Sequence, residues 1–249
     1  VKIGGSVATR KDEPFSVRVD VLRRLARQLR AAAEEEGAGI GIVLGGGSFG
    51  HVVAHAYRGS GAPASEALSA VTSSMLELAL AVADVLTGEG LRPVVYPPHA
   101  FCSPRGLRPG CEWRQAAEAL RLGAVPLVYG DAYPCGDDWC IVSGDELAVE
   151  MACSLGAEYV VYLSDVDGVI GSDGTVIPVL RLGDAALEAA PLERRGYDVT
   201  GGMLRKIEAV RENSCPGLRG VWVINGLAGD DRLLRLLRGE RVVSTLIIP

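Results

Sequence analysis

Short apolar runs alternate with amphipathic stretches along the whole chain, and this alternation constrains the fold more than any other feature. The runs "VKI" at the start, "IGIVL" (40–44), "PVVY" (93–96), "VPLVYG" (125–130), "YVVYLS" (159–164), "GVWVIN" (220–225) and "VVSTLII" (242–248) have the length and β-branched content of strands. Residues 19–36, 64–87, 113–123, 144–156, 203–213 and 230–239 carry apolar residues at helical spacing, several closed by a glycine. Apolar strands separated by helices predict a mainly parallel sheet covered on both faces. The expected class is α/β, a three-layer αβα sandwich. Segments 97–112 and 165–200 read as irregular, the first as a loop or small hairpin. The 249 residues form one domain without repeats, with a soft lobe boundary near residue 157.

Such sheets bind ligands in the crevice beyond the carboxyl ends of their strands. Three glycine-rich loops follow strands here and should meet on that edge. "KIGGS" (2–6) places Lys2 before Gly4, Gly5 and Ser6, whose bare backbone N–H groups form a nest for phosphate oxygens; taken alone it is also a plain turn. "GGGSFGH" (45–51) supplies further backbone donors at a helix N-terminus, with His51 behind them. Neutral His51 donates one hydrogen bond to a phosphate, and protonated it adds charge. His55 and His99 have no comparable setting and read as structural. "SDVDGV" (164–169) sets Asp165 in a tight turn that either only turns or contacts a nucleotide or its Mg²⁺.

Two further segments open helices. "SGDELA" (143–148) places Gly144 and Asp145 at a helix start. Asp145 is either the N-cap or a carboxylate that holds active-site lysines protonated and aimed. "DVTGGMLRK" (198–206) offers Gly202 before a helix with Lys206 in its first turns.

Composition enters through the lysines. Of 25 Lys and Arg residues only Lys2, Lys11 and Lys206 are lysine, and each lies near one of these loops. Lysine is a compact, rotatable point charge, where arginine is a planar fork. A net charge of −6 argues against a general nucleic-acid binder. No window of about 18 uncharged apolar residues marks a membrane span, no secretory pattern is visible, and the cytoplasm is the default. The six cysteines form no CxxC pair and have no histidine at zinc spacing. Free thiols are the default, with Cys102/Cys111 and Cys135/Cys140 as possible loop disulfides. There is no metal cage, no Ser-His-Asp arrangement and no carboxylate pair of the glycosidase kind. Several anion cradles with a few ammonium groups suit phosphoryl transfer, in which the protein mainly positions phosphates and neutralises charge.

The series "KIGGS", "LGGGSFGH", "SGDELA", "SDVDGV", "DVTGGM", Lys206 and "VWVING" resembles the amino acid kinase superfamily over the full chain. Within it, "GGGSFGH" with "DVTGGM" is most similar to the isopentenyl phosphate kinases. The resemblance implies ATP-dependent phosphorylation of isopentenyl phosphate to isopentenyl diphosphate in an archaeal-type mevalonate pathway. Lys2 would contact the transferring phosphoryl group, Gly4, Gly5 and Ser6 would wrap the ATP phosphates, and Lys11 would stabilise the transition state. Gly46 and His51 would bind the acceptor phosphate, Gly47 would lie between acceptor and donor, and Gly144 would face the acceptor. Asp145 would orient the lysines, while Asp165, Gly202 and Lys206 would serve ATP. Mg²⁺ would accompany the nucleotide, with no protein ligands assigned to it. Residues 1–157 would form the acceptor lobe and 158–249 the nucleotide lobe of a cytoplasmic homodimer acting on a small molecule, with neither nucleic acid nor membrane as partner. Helix 64–87, with Met75, Leu78, Val82 and Val85, is a candidate wall for the isoprenoid tail, or ordinary core. The usual Gly-Thr near the C-terminus is Ser244-Thr245 here. Two alternatives share most of these features: another kinase of the same fold, of the fosfomycin-monophosphate or small-acid type, and a non-catalytic nucleotide-sensing module.

Overall fold

A computed structural model describes residues 1–10, 12–105, 108–171, 173–182 and 201–249. Its centre is an eight-stranded sheet. The strands are β1 (Lys2–Ile3), β2 (Ile42–Leu44), β3 (Pro93–Val95), β6 (Val125–Tyr129), β9 (Tyr159–Ser164), β10 (Val179–Arg181), β11 (Gly220–Asn225) and β12 (Thr245–Ile248). Their order is β10-β12-β11-β9-β1-β2-β6-β3. Only the β11–β12 pair is antiparallel, so the mainly parallel sheet expected from sequence is present.

Strand β1 has the first-half strands β2, β6 and β3 on one side and β9, β11, β12 and β10 on the other. The winding reverses there, which is where open α/β sheets hold their ligands. Alternation along β1 divides the two faces. Ile3, with Ile42, Leu44 and Leu163, joins the core beneath α2 (Val19–Glu36), α4 (Ala64–Gly88) and α8 (Arg232–Leu237). Lys2 points the opposite way, on the face shared by Val43, Val128 and Tyr162. That face is covered by α6 (Gly144–Leu155) and α7 (Gly201–Asn213), with α5 (Arg114–Arg121) beside them.

Helix α4 is long and apolar enough to cross a membrane by length and composition, although no uncharged window of that length exists in it. Its residues Ala67, Val71, Met75, Leu78, Ala79, Val82 and Leu86 are buried within the protein, so it is a core helix. Met75, Leu78 and Val82 lie in the main core, with Val85 packed against it.

Two hairpins stand outside the sheet: β4 (Cys102–Arg105) with β5 (Arg108–Cys111), and β7 (Asp131–Cys135) with β8 (Asp138–Val142). The first falls in the segment expected to be a loop or hairpin. The second falls where the sequence reading assigns no element; its turn contains Gly136 at φ 65°. Each hairpin carries a disulfide, Cys102–Cys111 and Cys135–Cys140. The default of free thiols is wrong. A third bond, Cys153–Cys215, spans 62 residues, and none of the six cysteines is free. It joins α6 to the segment after α7, two elements that only the tertiary fold brings together.

Candidate active site

The carboxyl ends of the central strands are stitched into one edge. Gly4 N donates to Leu163 O at 2.8 Å, Gly45 N to Ile3 O at 2.9 Å, Gly130 N to Leu44 O at 2.9 Å, and Gly226 N to Ser164 O at 2.7 Å. The loops after β9, β1, β2 and β6 therefore leave the sheet side by side, as their glycines suggest. The approach is closer than any side chain permits. A Cβ on Gly5 would collide with the backbone N of Gly47, and one on Gly144 would lie 2.6 Å from Leu44 O. Gly47 itself has φ 50°, in the left-handed region that favours glycine. Thr9, fully buried, ties the first two loops together: its Oγ1 donates to Gly5 O at 2.8 Å and accepts from Ser48 N at 2.9 Å.

Above this edge three elements contribute charges to one point. Lys2 Nζ from β1 lies 2.8 Å from Asp145 Oδ1, and Lys206 Nζ from α7 lies 3.9 Å from Asp145 Oδ2. Lys2 is 4% exposed, and the Asp145 side chain is 15% exposed. Asp145 is not the helix cap. Ser143 fills that role: its Oγ accepts from Glu146 N at 3.1 Å, while Ser143 N donates to Glu146 Oε2 at 2.9 Å. The capping box leaves Asp145 available to the lysines. Burial would raise the Asp145 pKa, but Lys2 and Lys206, with a smaller contribution from His51, outweigh it and hold the carboxyl below the usual aspartate value.

His51 stands on α3 (Gly47–Tyr57) and is an exposed residue. Desolvation by its surroundings, then the charges of Lys2 and Arg205, push its pKa below the ordinary histidine value, against the pull of Asp145. His51 therefore shares one electrostatic environment with Lys2, Asp145 and Lys206, and that environment disfavours its charged form. Ser6, Gly46 and Gly47 lie on the same edge. Gly202 is exposed and accepts from Lys206 Nζ at 3.1 Å. Asp165 is exposed in the loop after β9, where its Oδ1 accepts from Ser164 Oγ at 3.4 Å. Lys11 lies outside the described residues, as do Asp198, Val199 and Thr200 of "DVTGGM". His55 is exposed on α3. His99 pairs its Nδ1 with the buried Asp131 at 2.8 Å, which fits its structural reading.

A cavity of about 590 Å³ opens between residues 57–62, at and just beyond the end of α3, and the β7–β8 hairpin. Its lining is mixed and mostly polar: Arg58, Asp138 and Glu146, which is next to Asp145, stand among Tyr57, Tyr133, Trp139 and Ile141. Sequence reasoning misses this cavity, and with it Thr9, Gly130, Arg205 and Tyr162. The three glycine-bearing loops hinted at convergence on one edge; these residues depend on partners distant in the chain. Among the described residues, no group of three or more His, Cys, Asp and Glu side chains is placed to hold a metal ion.

The amino acid kinase family profile matches residues 1–225. The chain belongs to the amino acid kinase family. Its relatives in that family include the isopentenyl phosphate kinase of Methanothermobacter thermautotrophicus, 33% identical over 99% of this chain and 97% of that protein. The isopentenyl phosphate kinase of Thermoplasma acidophilum is 31% identical over 91% of each. A crystal structure of an isopentenyl phosphate kinase substrate complex aligns with a TM-score of 0.77 at 26% identity, covering 99% of this chain and 98% of that one. The amino acid kinase fold thus accounts for the sheet and the edge described above. The Ser244-Thr245 departure is structurally sound: buried Thr245 Oγ1 accepts from Val169 N at 2.8 Å and donates to Ile177 O at 2.7 Å, pinning the loop that begins at Asp165.

Proposed function

We propose that this chain is a kinase that transfers the γ-phosphoryl group of ATP to isopentenyl phosphate, giving isopentenyl diphosphate and ADP for isoprenoid synthesis. The observation that carries the reading is the Lys2–Asp145–Lys206 cluster set on the glycine edge, with His51 in its field. Similarity to isopentenyl phosphate kinases over nearly the whole chain supports it.

The acceptor is already an anion, so transfer needs no strong general base. The difficulty is the repulsion between two phosphorylated molecules. Lys2 and Lys206 neutralise charge on the transferring group and the nucleotide, and the backbone amides of Gly4, Gly5 and Ser6 receive nucleotide phosphates. Gly46, Gly144 and His51 receive the acceptor phosphate, with Gly47 between the two. As the phosphate arrives, its charge favours protonation of His51 and reverses the shift seen in the free protein. Asp145 keeps both ammonium groups charged and aimed. Lys11 completes the cation set in this reading.

Mg²⁺ fits this donor set as an ion carried by nucleotide phosphates, since it commonly binds through one or two carboxylates plus substrate oxygens. Asp165 is the carboxylate we assign near it, and the ion would supply further charge neutralisation. The same reading places the acceptor on residues 1–157 and the nucleotide on 158–249, on the two sides of β1, in a cytoplasmic homodimer. A coupled ADP-release assay across isopentenyl phosphate, fosfomycin monophosphate, glutamate and UMP tests the acceptor. Isopentenyl phosphate should be clearly preferred; preference for another compound, or no ADP release with any, refutes the assignment.

A further inference from the structure

Strand β9 reads Tyr159, Val160, Val161, Tyr162, Leu163, Ser164. At its middle an aliphatic residue would satisfy the buried sheet face. Tyr162 is there instead, fully buried, and a phenol in such a position needs a partner for its hydroxyl. It has one. Tyr162 Oη donates to the backbone carbonyl of Asp145 at 2.8 Å. The ring has a second neighbour. Tyr162 and Lys2 are register partners on adjacent parallel strands, so their side chains share a face, and Lys2 Nζ lies 5.9 Å from the ring centroid, within cation–π range. Lys2 in turn reaches the Asp145 carboxylate at 2.8 Å. Three residues close a ring of contacts: lysine to carboxylate, carbonyl to phenol, phenol face to lysine.

We propose that Tyr162 is a positioning residue for phosphoryl transfer, holding the first turn of α6 by the Asp145 carbonyl and backing the Lys2 ammonium so that the pair is set before substrates bind. The proposal rests on the kinase reading for its kinetic consequence, but its geometric content does not. Asp145 is fixed at both ends, backbone and side chain, by two residues that are neighbours on the sheet. Without the hydroxyl, α6 loses its tie to β9 at the position of the carboxylate. Without the ring, the ammonium loses one wall of its site. Tyr162 touches neither substrate in this account; it acts through Lys2 and Asp145.

The chain's three lysines make a direct test practical. Protein labelled with [¹³C]lysine gives three ε-CH₂ signals, assigned with Lys11→Arg and Lys206→Arg. The Lys2 signal should be shifted upfield by the ring in wild type and in Tyr162→Phe, and should move toward the ordinary lysine position in Tyr162→Leu. In the ADP-release assay, Tyr162→Phe should lower kcat about 5–10-fold with both KM values within about 2-fold, and Tyr162→Leu should lower kcat further. An unshifted Lys2 signal in wild type overturns the proposal, as does a Tyr162→Phe protein with a lower Tm and wild-type kcat, which marks a packing residue only. Failure of wild type to phosphorylate isopentenyl phosphate refutes the functional reading instead, and leaves the lysine signal to decide the geometry.

Discussion

The floor and the rim of the crevice are built on different principles. At the floor, Lys2 and Asp145 are nearly removed from water and touch each other. At the rim, His51 is exposed. A buried ion pair is costly to desolvate, and breaking one partner leaves the other uncompensated; the floor is therefore part of the fold. At the rim, desolvation and the neighbouring cations disfavour the charged form of His51. In the proposed reaction, the fold would supply in advance the charges that meet the nucleotide, and the arriving acceptor phosphate would favour protonation of His51.

This contrast can be broken at several points. The largest effect is expected at the floor. Asp145→Ala strands the Lys2 ammonium and should destabilise the protein by about 3–5 kcal/mol, lowering Tm by roughly 6–20 °C for a chain of this size and abolishing measurable turnover; a Tm within about 2 °C of wild type would show that the pair is not structural. Linkage gives the floor a pH signature. The folded-state pKa of Asp145 is depressed, so its contribution is fully present above the unfolded value of about 4 and is lost as pH falls through the lower folded value. The stability difference between wild type and Asp145→Asn should shrink only at the acid end of a denaturation series. Next come Lys2→Ala and Lys206→Ala, each expected to cut kcat about 10²-fold or more. A near-wild-type rate in either removes that lysine from the mechanism.

The rim should respond more weakly. His51→Ala should raise the acceptor KM or lower kcat by about 10-fold, on the order of 1.4 kcal/mol, with little change in Tm. Its pH signature has the same sign as that of Asp145, stability falling as pH falls, but it begins at the higher unfolded pKa of histidine. The free-state pKa of His51 is lowered, so as pH falls below the unfolded value of about 6.5 the unfolded chain takes the proton first and the fold loses stability. His51→Gln should therefore stabilise the ligand-free protein slightly at pH 5 and not at pH 8. Equal effects at both pH values would contradict the shift.

Much of the floor could be read from the sequence because it follows from local rules. A glycine pair after a short strand, a helix start and a lysine one turn into a helix are each visible within ten residues. The parallel sheet then brings their ends to one edge. Even so, the sequence left Asp145 between cap and lysine holder, and only the Ser143–Glu146 capping box resolves it. The parts that escaped are non-local. Tyr162 matters because of Lys2 and Asp145, far apart in the chain. Cys153 finds Cys215 only once α6 and α7 pack. The β7–β8 hairpin carries its own signal in Gly136 and the alternation of Tyr133 and Cys135, but its importance lies in the cavity it closes with residues 57–62. The α4 face of Met75, Leu78 and Val82 shows the converse: helical spacing of apolar residues is the same for core and for pocket.

The central claim is that floor and rim are one site serving two anions. A crystal structure with a non-hydrolysable ATP analogue and isopentenyl phosphate tests it most directly. The account predicts Lys2 and Lys206 in hydrogen-bond contact with the nucleotide's terminal phosphates, and His51 in contact with the acceptor phosphate across the Gly47 turn. An acceptor bound away from His51, or a nucleotide whose terminal phosphate is remote from Lys2, would contradict it.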